Sequence, residues 1–166
     1  MHQGDSKVTF TDNFKGCDTR TIADGAMIQC EINGIYYAAT IHRDDDSGPP
    51  DQDDDAFWPS QDPAAPGWIG NNPRHSFDDQ MRDCKRVMSR YYAGEMVYCG
   101  VGITAMKDGV ELLGKYNYAL WRVNINWPRG DNRYLRTVAN NLLREAQPAA
   151  EAQYKRVTPE PTDGQG

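Results

Sequence analysis

The sequence is poor in the residues from which catalytic and metal sites are most often assembled. Its 166 residues include three histidines and four cysteines. Cys17, Cys30, Cys84 and Cys99 form no C-x-x-C pair, and none has a histidine at zinc-finger spacing, which excludes the common structural zinc modules. A disulfide framework is not expected at this length and spacing. The signatures G-x-S-x-G, H-E-x-x-H and G-x-x-x-x-G-K-[ST] are absent, so no hydrolase elbow, zinc-protease helix or phosphate loop is indicated. Gly100-Val101-Gly102 runs into strand-like Ile103-Thr104, where a dinucleotide fingerprint would open a helix. No run approaches the roughly 18 apolar residues of a membrane span, and Met1–Lys7 lacks the apolar core of a signal peptide. These features point to no membrane association and a reducing cytoplasm.

Apolar content is also low, 39%, while glycine and proline together number 25 (15 + 10). That combination predicts long loops around one compact core, and the length suits a single domain. Charge is uneven. Residues 1–63 carry 13 acids and 4 bases, a net of −9, and residues 64–166 carry 11 acids and 14 bases, a net of +3. The chain therefore presents an acidic pole and a mildly basic one.

The elements follow from periodicity. Ile28, Cys30 and Ile32 alternate with Gln29 and Glu31, Asn33-Gly34 marks a tight hairpin turn, and Ile35–His42 is the return strand. Val8–Phe10 is a candidate short strand in an otherwise polar N-terminal stretch. Residues 43–75 have no periodicity. A connection of that length is unusual in a compact domain and suggests function or disorder; Phe57, Trp58, Trp68 and Ile69 predict an ordered, wrapped loop with a mobile acidic tip. Ser76 is the expected N-cap of a helix whose apolar stripe is Phe77, Met81, Cys84, Met88 and Tyr91/Tyr92, with an Asp78–Arg82 pair at i,i+4 and Gly94 as terminator. Met96–Met106 reads as a strand in which Gly100 and Gly102 mark a bulge. Val110–Gly114 and Lys115–Trp127 form one long bent strand or two, and Pro128 ends the sheet. Gly130-Asp131 opens a second helix with a stripe of Tyr134, Leu135, Val138, Ala139, Leu142, Leu143 and Ala146. The predicted fold is α+β, an antiparallel sheet of four to five strands with two helices packed on one face, in the order ββ-α-ββ(β)-α. Residues 1–147 form the domain and 148–166 a flexible tail.

Three groups of residues carry candidate functions. The first is the acidic loop: Asp44, Asp45, Asp46, Asp51, Asp53, Asp54 and Asp55 give phosphate-like charge density, and Phe57 and Trp58 are candidate anchors beside it. The second is basic: Arg82, Lys85, Arg86 and Arg90 on one helix and Arg133, Arg136 and Arg144 on the other, with Tyr116, Tyr118, Trp121 and Trp127 between them as base-stacking candidates. Against this alternative, a nucleic-acid-binding module, stand a pI near 5 and the absence of RNA- or DNA-binding signatures. The third is a metal-dependent enzyme built on His42 and the aspartate run. The loop lacks the ligand order and closing glutamate of an EF-hand, so no metal or cofactor is expected. His2, His42 and His75 read as surface or structural histidines.

Two patches carry a resemblance. One is Tyr37-Ala38-Ala39-Thr40-Ile41-His42 leading into Asp44-Asp45-Asp46 and Phe57-Trp58-Pro59-Ser60. The other is Tyr98-Cys99-Gly100-Val101, Ala119-Leu120-Trp121, Asp131–Leu135, Val138-Ala139-Asn140 and Leu142–Ala146. About half the chain thus resembles small, mostly uncharacterised proteins of bacterial phages and other mobile elements. Those sequences follow the tryptophan with Gly-Ile-Glu, where Arg122-Val123-Asn124 stands here. The resemblance implies no enzyme activity, cofactor or catalytic residue. It implies a mobile-element origin, hence a bacterial host cytoplasm, and a small protein acting on host machinery, including defence systems. Together with the −9/+3 charge split and the loop it leads to the expectation of a non-catalytic protein that modulates or inhibits a host nucleic-acid machine, such as a CRISPR or restriction complex, through its acidic surface. The partner would be a host protein or protein–nucleic-acid complex, and the hairpin edge would also allow a homodimer.

Overall fold

The computed structural model describes residues 9–17, 22–70, 76–125 and 131–158. It contains one four-stranded antiparallel sheet, in the order β1-β2-β3-β4, and two helices. The strands are β1 (Met27–Ile32), β2 (Ile35–Arg43), β3 (Val97–Lys107) and β4 (Val110–Ile125); the helices are α1 (Phe77–Tyr92) and α2 (Tyr134–Val157). The α+β class and the order ββ-α-ββ-α are those expected from the sequence.

The hairpin forms as its turn residues dictate. Asn33 and Gly34 both have positive φ, 53° and 75°, and Ile32 pairs with Ile35, the two-residue turn whose twist matches that of its strands. Asp108 and Gly109, with φ of 50° and 76°, close the β3–β4 hairpin in the same way, between Lys107 and Val110. Alternation then sends Ile35, Tyr37, Ala39 and Ile41 of β2, and Cys99, Val101, Ile103 and Ala105 of β3, into one core. Leu135, Ala139, Leu143, Ala146 and Ala150 of α2 close that core from above.

Four expectations need correction. First, α1 adds no residue to this core. α2 packs on β2, β3 and β4, whereas α1 reaches the sheet through Tyr91, whose ring lies 6.1 Å from that of Tyr98. Tyr98 neighbours core-facing Cys99 in β3 and so projects from the opposite face. The long loop lies beside α1 there: the Cys84 thiol donates to the Phe57 carbonyl and the Tyr91 hydroxyl to that of Ser47.

Second, the apolar residues of the N-terminal stretch are core. Phe10 and Phe14 are buried, and the Asn140 side chain accepts from the Phe10 N–H (2.8 Å) and donates to its carbonyl (3.2 Å). Thr9 and Phe10 form no strand; Val8 lies outside the described residues.

Third, α2 does not stop before Pro148 but runs through it to Val157. Proline removes one helical hydrogen bond. Ala150, fully buried, and Tyr154, whose hydroxyl donates to Asp108 and whose ring lies 4.1 Å from the Lys107 ammonium, hold the second half of the helix on the sheet. The tail expected from 148 is therefore helical over 148–157, and residues 159–166 lie outside the described residues.

Fourth, Arg82 pairs with Asp79 at i,i+3 rather than with Asp78. The ends of α1 are as expected. The Ser76 hydroxyl accepts from the Asp79 N–H, a cap that contributes about 1 kcal/mol. At the other end Gly94 (φ 71°) lets its own N–H reach the Tyr91 carbonyl and that of Glu95 reach Arg90, a Schellman closure.

Candidate functional site

The acidic loop is built around one carboxylate and one guanidinium. Asp44 accepts from the Ser47 N–H (3.0 Å), the Ser47 hydroxyl (2.7 Å) and the backbone N–H of Arg122 (2.9 Å). Burial raises the Asp44 pKa and these hydrogen bonds lower it; the hydrogen bonds prevail and hold it below the usual carboxylate range. Arg122 in turn pairs with Asp53 at 2.9 Å and donates to the carbonyls of Gly48 and Pro49 at 3.4 and 3.1 Å. Its guanidinium lies over the Tyr98 ring at 4.6 Å. The first half of the loop is thus fastened to β4, and the expected mobile tip is instead an anchored one.

The fastening depends on an irregularity in β4. Between the Cys99–Val123 and Val101–Leu120 pairs, Trp121 and Arg122 together oppose Gly100, a bulge. Arg122 takes φ 57°, the left-handed conformation that costs an L-residue roughly 1–2 kcal/mol. The bulge lays Trp121 on the sheet where a Cβ on Gly100 would come within 2.5 Å of the indole, so only glycine leaves room. A second irregularity, residues 114–117 between the Leu113–Ala105 and Tyr118–Ile103 pairs, brings Tyr116 against His42 and Trp121, with ring centroids 5.5 and 5.8 Å away. His42 is 8% exposed and its Nε2 has no hydrogen-bond partner among the described residues. Burial holds its pKa below the ordinary histidine value, aided by the Lys115 ammonium and opposed by Asp24. His42 is therefore a buried neutral ring under an aromatic lid.

The rest of the loop is closed by local turns. Trp58 donates from its indole to Asp51 at 3.1 Å. Ser60 and Trp68 form an isolated bridge, with Ser60 N–H to the Gly67 carbonyl at 2.9 Å and Ile69 N–H to the Ser60 carbonyl at 3.2 Å. Gly67 passes so close to the Trp58 carbonyl that a side chain would collide with it.

Comparison with protein-family models, curated proteins and solved structures finds no match for this chain. Its own geometry is what distinguishes the candidate sites.

Of the seven loop aspartates, Asp45, Asp46, Asp53, Asp54 and Asp55 are exposed, and Asp44 and Asp51 half-buried. Asp45 also pairs with Arg43. Phe57 is half-buried beside α1, edge-on to the more exposed Trp58, so of the two named anchors Trp58 is the one presented to solvent. Trp68 and Trp121 are exposed as well, and Trp121 borders a groove with Asp45, Asp46 and Asp53.

The helix cations are not assembled in one place. Arg82, Arg86 and Arg90 pair with Asp79, Asp83 and Glu95, and Arg133 with Asp131. Arg136 donates to the Thr11 carbonyl. Lys85 and Arg144 are exposed. α2 packs on β2, β3 and β4, and α1 makes no comparable contact with those strands, so these side chains sit on helices that do not share one core. Tyr118 packs against the core, while Trp127 lies outside the described residues.

No group of three or more His, Cys, Asp or Glu among the described residues is arranged to hold a metal ion; His2 and His75 lie outside them. All four cysteines are free, and burial pushes the Cys99 thiol up to about 12. No described helix is long and apolar enough to cross a membrane.

Arg122 escaped the sequence reading because it stood in a strand-like run and its partners are 69 to 78 residues away. A signal was present: a basic residue directly after a tryptophan, where alternation fails.

Proposed function

We propose that the protein is a non-catalytic binding protein that docks its acidic loop on the basic, nucleic-acid-binding surface of a host machine and so modulates or inhibits it. The observation that carries this reading is the loop's anchorage. Exposed Asp45, Asp46, Asp53, Asp54 and Asp55 project from a segment held by Arg122, beside Trp58, Trp68 and Trp121. An anchored carboxylate array loses little further conformational entropy on binding. Its charge steers encounter with a cationic groove, and the tryptophans supply apolar area of the kind that dominates interface energetics. The resemblance to phage and mobile-element proteins supports the same reading, with a CRISPR or restriction complex as the class of target.

The test is capture from bacterial lysate by the wild type and by a variant carrying Asp45→Asn, Asp46→Asn, Asp54→Asn and Asp55→Asn. These substitutions leave Asp44, Asp51 and Asp53, and therefore the loop's closure, untouched. The variant is expected to lose the captured protein and to show a weaker dependence of binding on salt. Equal capture with an unchanged salt dependence would refute the proposal.

A further inference from the structure

Where β2 runs into the acidic loop, a cavity of about 540 Å³ opens at the end of the sheet. That is within the size range of ligand pockets. Tyr91 and Tyr92 of α1 and Tyr98 of β3 line it. Tyr91 stands almost perpendicular to Tyr92, with centroids 5.5 Å apart, and 6.1 Å from Tyr98. Tyr98 already carries the guanidinium of Arg122, whereas no cation among the described residues stacks on Tyr91 or Tyr92. Met96 and Ile22 add apolar wall.

The charge of the lining is one-sided. Among the described residues, Asp24, Asp44 and Asp45 border the cavity against a single cation, Arg43, and Arg43 is paired with Asp45. The other two carboxylates are held by neutral donors: Asp24 by the Arg43 N–H, and Asp44 by Ser47 and the Arg122 N–H. Among the described residues neither has a cationic partner, and His42, beside them in the lining, is buried and neutral. Two carboxylates without a cationic partner among the described residues, in one lining with tyrosine rings, form an environment for a flat cation with an apolar stem. A guanidinium suits it better than an ammonium, because it stacks on aromatic faces and presents several donors in one plane.

We infer that this cavity is the specificity pocket of the docking surface and takes an arginine side chain of the bound protein, its stem along Met96 and Ile22 and its guanidinium between the tyrosines and the Asp24 and Asp44 carboxylates. The inference rests on the binding reading above and names the group of the partner that it recognises. The probe is N-acetyl-arginine amide, titrated at low ionic strength while the resonances of Tyr91, Tyr92 and the Asp24 and Asp44 amides are followed by NMR. N-acetyl-citrulline amide, a neutral near-isostere, is the control. Saturable shifts are expected with the arginine probe and none with citrulline. Tyr92→Ala, at a side chain 72% exposed, and Asp24→Asn, which keeps the acceptor for the Arg43 N–H and removes only the charge, are each expected to weaken the probe by about 2- to 10-fold. Absence of saturable shifts at these residues, equal shifts with citrulline, or affinity unchanged in both variants would overturn the inference. The probe needs no partner, so its failure leaves the loop-docking reading to be judged by the aspartate variant alone.

Discussion

Arg122 is the residue on which the architecture of the loop can be tested most directly. Replacing it by alanine keeps the backbone N–H that serves Asp44 but removes everything the side chain does. The lost contacts are the Asp53 ion pair at 2.9 Å, the donations to Pro49 and Gly48 at 3.1 and 3.4 Å, and the stacking on Tyr98 at 4.6 Å. A well-formed hydrogen bond from a charged donor contributes about 1.5–3 kcal/mol; of the two carbonyl contacts, the one to Pro49 has that geometry and the one to Gly48 is long. The Asp53 pair is exposed on the aspartate side and adds at most about 1 kcal/mol; the stacking adds about 0.5–1 kcal/mol. Ordering an arginine side chain opposes these by about 2 kcal/mol. The net expectation is a loss of about 0–3 kcal/mol, centred near 1.5 kcal/mol, in a urea titration, which at that centre is about 3–6 °C in Tm for a chain of this length. If the loop detaches without global unfolding, the loss appears instead as faster hydrogen exchange at the amides of Ser47 and residue 122. Arg122→Gly makes the test specific. It loses the same contacts but relieves the left-handed conformation at φ 57°, so it is expected to be more stable than Arg122→Ala by roughly 1 kcal/mol. An alanine variant unchanged in both urea midpoint and loop exchange would refute the clamp, and a glycine variant no more stable than alanine would refute the strain.

Gly100→Ala places a methyl group 2.5 Å from the Trp121 ring and is expected to cost about 1–3 kcal/mol. In a urea-denaturation double-mutant cycle that cost should vanish in a Trp121→Ala background; a cost that persists would mean the clash lies elsewhere. Asn140→Ala leaves the N–H and carbonyl of Phe10 without their partner and is expected to lose about 1–3 kcal/mol, with proteolytic cutting first appearing in residues 9–17. For His42 the folded pKa lies below the ordinary value because burial disfavours the imidazolium. Between the folded and unfolded values the unfolded chain binds more protons, so stability rises with pH across that interval and is lost as pH falls below about 6.5. His42→Phe should flatten this part of the stability profile while leaving the loss from carboxylate protonation at lower pH; a profile unchanged between pH 5 and 7 would show that His42 does not contribute.

The turn at Asn33-Gly34, the Ser76 cap, the Gly94 terminator and the alternation that sends Ile28, Ile35, Tyr37 and Ile41 inward are all decided within a few residues of chain. Positive φ, a capping hydroxyl and a period of two or 3.6 are local properties, so the sequence alone determined the two helices and the order of the elements, leaving open only whether residues 110–127 form one strand or two. The buried stripe of α2 belongs to the same group as far as Ala146. The acidity of residues 44–55 was equally plain, but what those aspartates do was not.

Tertiary structure decided the rest, because the deciding contacts span the chain. Pro148 argues locally for a stop, yet Ala150 and Tyr154 gain enough from burial and from the β3–β4 turn to carry the helix past it. Phe10 and Phe14 lie in a polar stretch held inward by distant residues, among them Asn140, 130 residues away, and Arg136. α1 has an apolar stripe of ordinary period, which tells that it packs but not on which face. Arg122 fits a strand pattern until the sheet bulges over Gly100 and turns its N–H to Asp44 and its guanidinium to Asp53. A run of carboxylates repels itself in an isolated chain; the folded sheet brings the Arg122 N–H and guanidinium that help gather it into a surface.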